Sequence, residues 1–263
     1  MIVDCHTHIS CKAREVDPSE HLAAAETVGK CIVLASPAGG AVEDVNKAVA
    51  EYVNKYKDKM VGFAFVDPAE DGISSNRLSA LRDKEGFDGL VLYCTCSGVH
   101  PAHSRAMRFY EAAQELKLPV FFHNGGAMSP QAVMDYAQPY LLDEVARVFG
   151  ELKIVIGSMG VPFVDQTLSM AAKHENVYAD LTISPANVWQ VYNTVVAANE
   201  WGVMDKLLFG SGFPFGNAGQ CIETLLGFNK LLGDTDLPTV PRAVIQEVIE
   251  RNSLEVLGID RGS

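Results

Sequence analysis

A short apolar run followed by a longer amphipathic stretch recurs along the chain, and this alternation constrains the fold more than any other feature. The runs lie at 2–5, 31–35, 61–66, 89–93, 119–123, 153–157, 176–181 and 206–210, starting about thirty residues apart. They are rich in Val, Ile, Leu and Phe, as parallel strands buried on both faces are. Between them lie helical patterns. Residues 41–57 carry Val42, Val45, Val49, Tyr52, Val53 and Tyr56 at three- and four-residue steps, with Lys and Glu on the other face. Residues 104–116 repeat the pattern with Met107, Tyr110, Ala113 and Leu116. Eight strand–helix units in 263 residues predict an α/β protein, a (β/α)8 TIM barrel forming one domain over 1–263. A doubly wound open sheet would usually carry a Gly-rich turn after its first strand, where this chain has Cys5-His6-Thr7-His8. Residues 242–257 read as a final helix that closes the barrel.

Charge and composition narrow the function classes. With 21 Lys and Arg against 33 Asp and Glu, the net charge is −12, which repels phosphate backbones and anionic lipid. Nucleic acid and membrane are therefore excluded as partners, leaving a small-molecule substrate. The apolar runs are too short to span a bilayer. Met1 leads straight into Ile2 and Val3 with no signal-peptide pattern. The six cysteines, at 5, 11, 31, 94, 96 and 221, form no dense secreted framework. They read as reduced thiols of a cytoplasmic protein.

In such a barrel the loops after the strands build the active site. His6 and His8 close the first strand two residues apart, hence on one face, so both imidazoles can converge on the mouth and grip one divalent metal. The competing reading is a pair of polar caps at a strand end. His123 closes the fifth strand, opposite the first, and can reach a metal on the axis. His100 and His103, in the loop after strand four, are candidates for proton transfer or for solvated loop residues. Cys94 and Cys96 form a C-x-C pair that either ligates a soft metal or packs as small hydrophobes. Asp180, near the end of strand seven, is either an inward acid–base group or a structural hydrogen-bonding one. His21 and His174 sit in helical segments and carry no assigned chemistry.

Several segments resemble the amidohydrolase superfamily, in its amidohydrolase-related (amidohydrolase 2) branch, which includes aminocarboxymuconate semialdehyde decarboxylase and 2-pyrone-4,6-dicarboxylate lactonase. The resemblance is carried by Val3-Asp4-Cys5-His6-Thr7-His8, Phe122-His123-Asn124-Gly125 and Leu208-Phe209-Gly210-Ser211-Gly212-Phe213-Pro214. It extends to Val61-Gly62-Phe63-Ala64-Phe65-Val66-Asp67-Pro68, Asn176-Val177-Tyr178-Ala179-Asp180-Leu181 and Asn252-Ser253-Leu254-Glu255-Val256-Leu257-Gly258. It implies a barrel with a metal at its mouth, with His6, His8 and His123 matching metal ligands. Two positions depart from the pattern. Ser158 stands where the family has a histidine after strand six, and Gly212 where it has a metal-binding aspartate after strand eight. Apolar residues around Val91 replace the lysine that bridges two metals in some relatives, which argues for one ion.

Three neutral histidines can still hold Zn2+ and lower the pKa of water beside it, while leaving the charge of the ion uncompensated and so favouring hydroxide or an anionic substrate. The leading expectation is a metal-dependent hydrolase of a small carbonyl, lactone or carboxylic-acid substrate, with one divalent ion, Zn2+ first. Asp180 and His100 are the candidate catalytic groups, and Tyr93, Asn124, Ser158, Ser211 and Phe213 the candidate pocket lining. One alternative is a metal-free, lactonase-like hydrolase or decarboxylase. The other is a degenerate barrel that binds a ligand without turnover. The resemblance also implies a homodimer.

Overall fold

Eight parallel strands form the sheet in strict sequence order, each hydrogen-bonded to the next. A computed structural model describes residues 1–11, 14–37, 41–68, 74–124 and 129–261. The strands are β1 (Val3–Thr7), β2 (Lys30–Leu34), β3 (Met60–Phe65) and β4 (Gly89–Leu92), then β5 (Val120–Phe122), β6 (Ile154–Ile156), β7 (Val177–Thr182) and β8 (Leu207–Gly210). A small antiparallel pair, Ser10–Cys11 with Arg14–Glu15, follows β1 outside the barrel.

Closure comes just beyond β8. Gly212 N–H donates to the His6 carbonyl at 2.9 Å and His8 N–H to the Phe213 carbonyl at 2.9 Å, bringing Thr7 into a parallel bridge with Phe213. Asp4 reinforces that seam: its Oδ1 accepts from the backbone N–H of Ser211 at 2.9 Å and of His6 at 3.2 Å. The carboxyl is buried, and burial raises its pKa to about 6 against the opposing pull of Ser211.

The strands are apolar on both faces because both are covered. Ile32, Phe63, Leu90, Val155 and Phe209 are among the side chains fully withdrawn from solvent. Helices α1 (Pro18–Ala24), α2 (Val42–Lys55), α3 (Ser75–Asp83), α5 (Ser104–Glu115), α6 (Asp143–Val148), α7 (Val164–Lys173) and α8 (Val188–Glu200) fill the crossovers, and α9 (Ala218–Gly227) follows β8. A one-turn helix, α4 (Cys94–Ser97), directly follows β4. Side-chain oxygens start two of the helices, Asp17 accepting from Ser19 N–H and Ser74 from Arg77 N–H.

The C-terminal helix departs from expectation. Instead of one helix over 242–257 there are two, α10 (Arg242–Glu250) and α11 (Ser253–Val256). Arg251 between them is extended, and its guanidinium donates to the carbonyls of Met204 and Leu207 at 3.0 and 2.7 Å. Those bonds hold the chain against the foot of β8 and interrupt the helix. Among the described residues, no helix is long and apolar enough to cross a membrane.

Candidate metal centre

Three histidines from two strand ends, β1 and β5, converge at the mouth of the barrel. The Nε2 atoms of His6 and His8 lie 3.1 Å apart, those of His6 and His123 2.9 Å, and those of His8 and His123 3.2 Å. Alternation along β1 aims its two rings to one side, as their two-residue spacing requires. His123 follows β5 immediately, and its N–H extends the ladder by donating to the Leu92 carbonyl at 2.9 Å. The rings meet edge to face, and Phe121 lies edge-on beneath His6 at 5.4 Å between centroids. Tyr93 stacks on His123 at 4.6 Å.

The other nitrogen of each β1 ring decides what the cluster can bind. His8 Nδ1 lies 2.9 Å from the carbonyl oxygen of Leu34, which can only accept, so this nitrogen carries the hydrogen. His6 Nδ1 donates likewise to the carboxylate of Asp180. Both Nε2 atoms therefore present lone pairs, facing each other and His123. Lone pairs at this separation repel unless a cation lies among them, and three imidazole nitrogens, two of them on rings with fixed outer hydrogen bonds, are a donor set for one divalent metal ion. Burial reinforces the neutral state: it lowers His8 to about 3 and His123 well below the ordinary imidazole value, the neighbouring rings adding to both shifts. Among the described residues, these three side chains are the His, Cys, Asp and Glu groups that cluster tightly enough to hold an ion.

Asp180 is fully buried beneath the cluster. Besides His6, its Oδ2 accepts from the backbone N–H of Ser158 at 2.9 Å and the Thr182 hydroxyl at 2.6 Å, while Cys5 Sγ approaches Oδ1 at 3.7 Å. Its contact with His6 Nδ1 is one through which a carboxylate can orient that ring. Gly210 makes the close approach feasible, since a Cβ there would lie 2.3 Å from Asp180 Oδ1 and 2.9 Å from His6 Cβ.

Ser158 occupies a strained turn after β6. It and Met159 adopt left-handed backbones with φ of 48° and 53°, each costing about 1 kcal/mol for a residue with a Cβ. The turn delivers Ser158 N–H to Asp180 and sets its half-buried hydroxyl 3.3 Å from Thr182 Oγ1.

The remaining sequence candidates divide. Asn124 is half-buried beside His123 and donates to the Ala137 carbonyl at 2.9 Å; Gly125 lies outside the described residues. Phe213 is buried and stacks on His21 at 4.9 Å, and Ser211 is buried in the β8–β1 seam. His100 packs edge-on against Tyr136 and joins His103, Arg105 and Pro68 around a hollow of about 350 Å3 after β4. Cys94 is buried, with its thiol raised to about 12, whereas Cys96 is exposed; neither joins a ligand cluster among the described residues. Sequence reasoning did not single out Thr182 or the Leu34 carbonyl. Thr182 was within reach, because it lies two residues beyond Asp180 on the same strand face.

The comparisons with known proteins agree with this architecture. The Amidohydrolase family model matches residues 3–259. Among curated proteins, none matches the sequence. An uncharacterised TIM-barrel protein of Bordetella bronchiseptica superposes with a TM-score of 0.71 at 18% identity, covering 98% of both chains. A 5-carboxyvanillate decarboxylase of Novosphingobium aromaticivorans, solved with manganese and a nitrobenzoic acid, gives 0.70 at 11% identity over 98% of this chain and 97% of that one. A 2,6-dihydroxybenzoate decarboxylase of Rhizobium gives 0.64 at 16% identity over 98% of each. At these identities the likeness establishes the fold.

Proposed function

The chain belongs to the amidohydrolase family, and from that premise we propose that it is a metal-dependent decarboxylase of a small carboxylic acid, acting at the C-terminal mouth of its barrel. The observation that carries the reading is the all-histidine cluster: three nitrogen donors converge, and among the described residues no carboxylate joins them as a ligand. A divalent ion there, manganese or zinc, would supply positive charge that attracts a carboxylate and withdraws electron density as carbon dioxide departs.

The side chains supply the rest. His6, His8 and His123 would hold the ion, with Asp180 and the Leu34 carbonyl fixing two of the rings. At the end of β8 Gly212 offers no side chain, so no base stands there to take a proton from water. A base at that point would speed hydrolysis. Decarboxylation has no water to deprotonate: the bond to the carboxylate carbon breaks, its electron pair stays on the substrate carbon, and that carbon takes a proton. We assign the donor role to His100. Its Nδ1 accepts from Ala102 N–H at 3.0 Å, so in the neutral ring Nε2 carries the hydrogen. Ser158 and Asn124, both half-buried at strand ends, are the proposed substrate contacts, while Tyr93 and Phe213 act through the rings they pack on. The solved neighbours that decarboxylate aromatic acids support the reading.

The test is a screen of manganese- and zinc-loaded protein for carbon dioxide release from hydroxybenzoic and unsaturated carboxylic acids, with His6→Ala and His123→Ala as controls. Release that both substitutions abolish is expected. Turnover of lactones or amides alone would replace this reading with the hydrolase one, for which the half-buried Ser158 hydroxyl, 3.3 Å from Thr182 Oγ1, is the supporting observation. Metal uptake with no turnover of either kind would favour a ligand-binding barrel.

A further inference from the structure

We infer that Thr182 is a positioning residue for His6, and that the same side chain restricts position 212 to glycine. The inference rests on the metal-site reading above, because the ring it positions is one of the three proposed ligands.

The Thr182 hydroxyl lies 2.6 Å from Asp180 Oδ2, 2.9 Å from His6 Nδ1 and 3.3 Å from Ser158 Oγ. A hydroxyl has one hydrogen and two lone pairs. A carboxylate only accepts, so the Thr182 hydrogen goes to Asp180. The His6 Nδ1 hydrogen is then shared between Asp180 and the Thr182 oxygen, whose second lone pair takes the Ser158 hydroxyl. His6 is gripped at two points, which opposes the ring rotation that would swing Nε2 away from His8 and His123.

Fixing the hydroxyl of a β-branched residue also fixes its methyl. That methyl points at Gly212: a Cβ built there would lie 2.7 Å from Thr182 Cγ2, closer than carbons pack, and the Gly212 backbone is left-handed with φ of 65°. The backbone at 212 cannot retreat freely, because its N–H holds the His6 carbonyl at 2.9 Å. The grip on His6 and the missing side chain at the end of β8 are thus two consequences of one residue.

The experiment compares manganese and zinc affinity, by competition with a chromophoric chelator, in the wild type, Thr182→Val and Thr182→Ser. Thr182→Val should weaken binding at least tenfold. Thr182→Ser keeps the hydroxyl and should stay within about twofold of the wild type. In metal-free protein, Gly212→Ala should lower the melting temperature more beside Thr182 than in the Thr182→Ser background. Wild-type affinity in Thr182→Val, or equal loss in both serine and valine variants, would overturn the positioning role. Equal melting losses in the two backgrounds would overturn the steric link. If the wild type takes up no metal, the functional reading falls, and nitrogen resonances of His6 in metal-free protein decide the grip. A fixed Nδ1–H tautomer in wild type and Thr182→Ser that is lost in Thr182→Val supports it; one tautomer in all three overturns it.

Discussion

His6 and His8 face one another through Nε2 atoms 3.1 Å apart, each on a ring whose Nδ1 hydrogen is already given away, one to Asp180 and the other to Leu34. Two lone pairs held at that distance are a strained arrangement in isolation and a stable one around a cation. Metal loading should therefore raise the melting temperature. At a thousandfold excess over Kd the gain is about 4 kcal/mol, or roughly 8–16 °C for a domain of this size. Scanning calorimetry with and without manganese or zinc measures it, and an unchanged midpoint at saturating metal would contradict it.

Asp180→Asn tests the support under His6. An amide at this position supplies one carbonyl oxygen for what Oδ2 now accepts from His6, Ser158 and Thr182, and its NH2 would face donors. Metal affinity should fall 10- to 100-fold, and stability by about 1–3 kcal/mol from unsatisfied buried groups. Chelator competition and urea melts read the two effects separately.

Acid should destabilise the metal-free protein. Burial lowers His8 to about 3 and His21 to about 4, and lowers His123 well below its ordinary value. Between those values and about 6.5 the unfolded chain binds protons the folded one refuses, so stability falls as pH drops through that window. Asp4 opposes this: raised to about 6, it keeps a proton in the folded state that the unfolded chain releases above 3.8. Three histidines outweigh one carboxyl, so the melting midpoint should be lower at pH 5 than at pH 7. A midpoint that rises on acidification would contradict the assignment.

Ser158→Gly separates strain from function. Glycine adopts φ of 48° without penalty, so the variant should gain about 1 kcal/mol and melt roughly 2–4 °C higher. Turnover should fall, because the hydroxyl proposed to contact the substrate is gone. A stabilised variant with full turnover would remove Ser158 from the substrate contacts.

The barrel and the three histidines were legible in the sequence because each rests on a local pattern: the strand–helix alternation, and imidazoles at the ends of the first and fifth strands. What supports them was less so. The Leu34 carbonyl is backbone, identical in every residue type, and its role emerges only when β2 pairs with β1. The break at Arg251 comes from carbonyls of Met204 and Leu207, more than forty residues away in the chain. Asp180 was visible as a carboxylate, but its contacts with Ser158 N–H and the Thr182 hydroxyl depend on the left-handed turn after β6, which no local pattern announces.

Elemental analysis of purified protein tests the central claim most directly, with His6→Ala/His8→Ala measured beside it. The account predicts close to one manganese or zinc ion per wild-type chain after loading and loss of that ion in the double variant. A wild type that holds no metal after loading, or a variant that keeps it, would contradict the account.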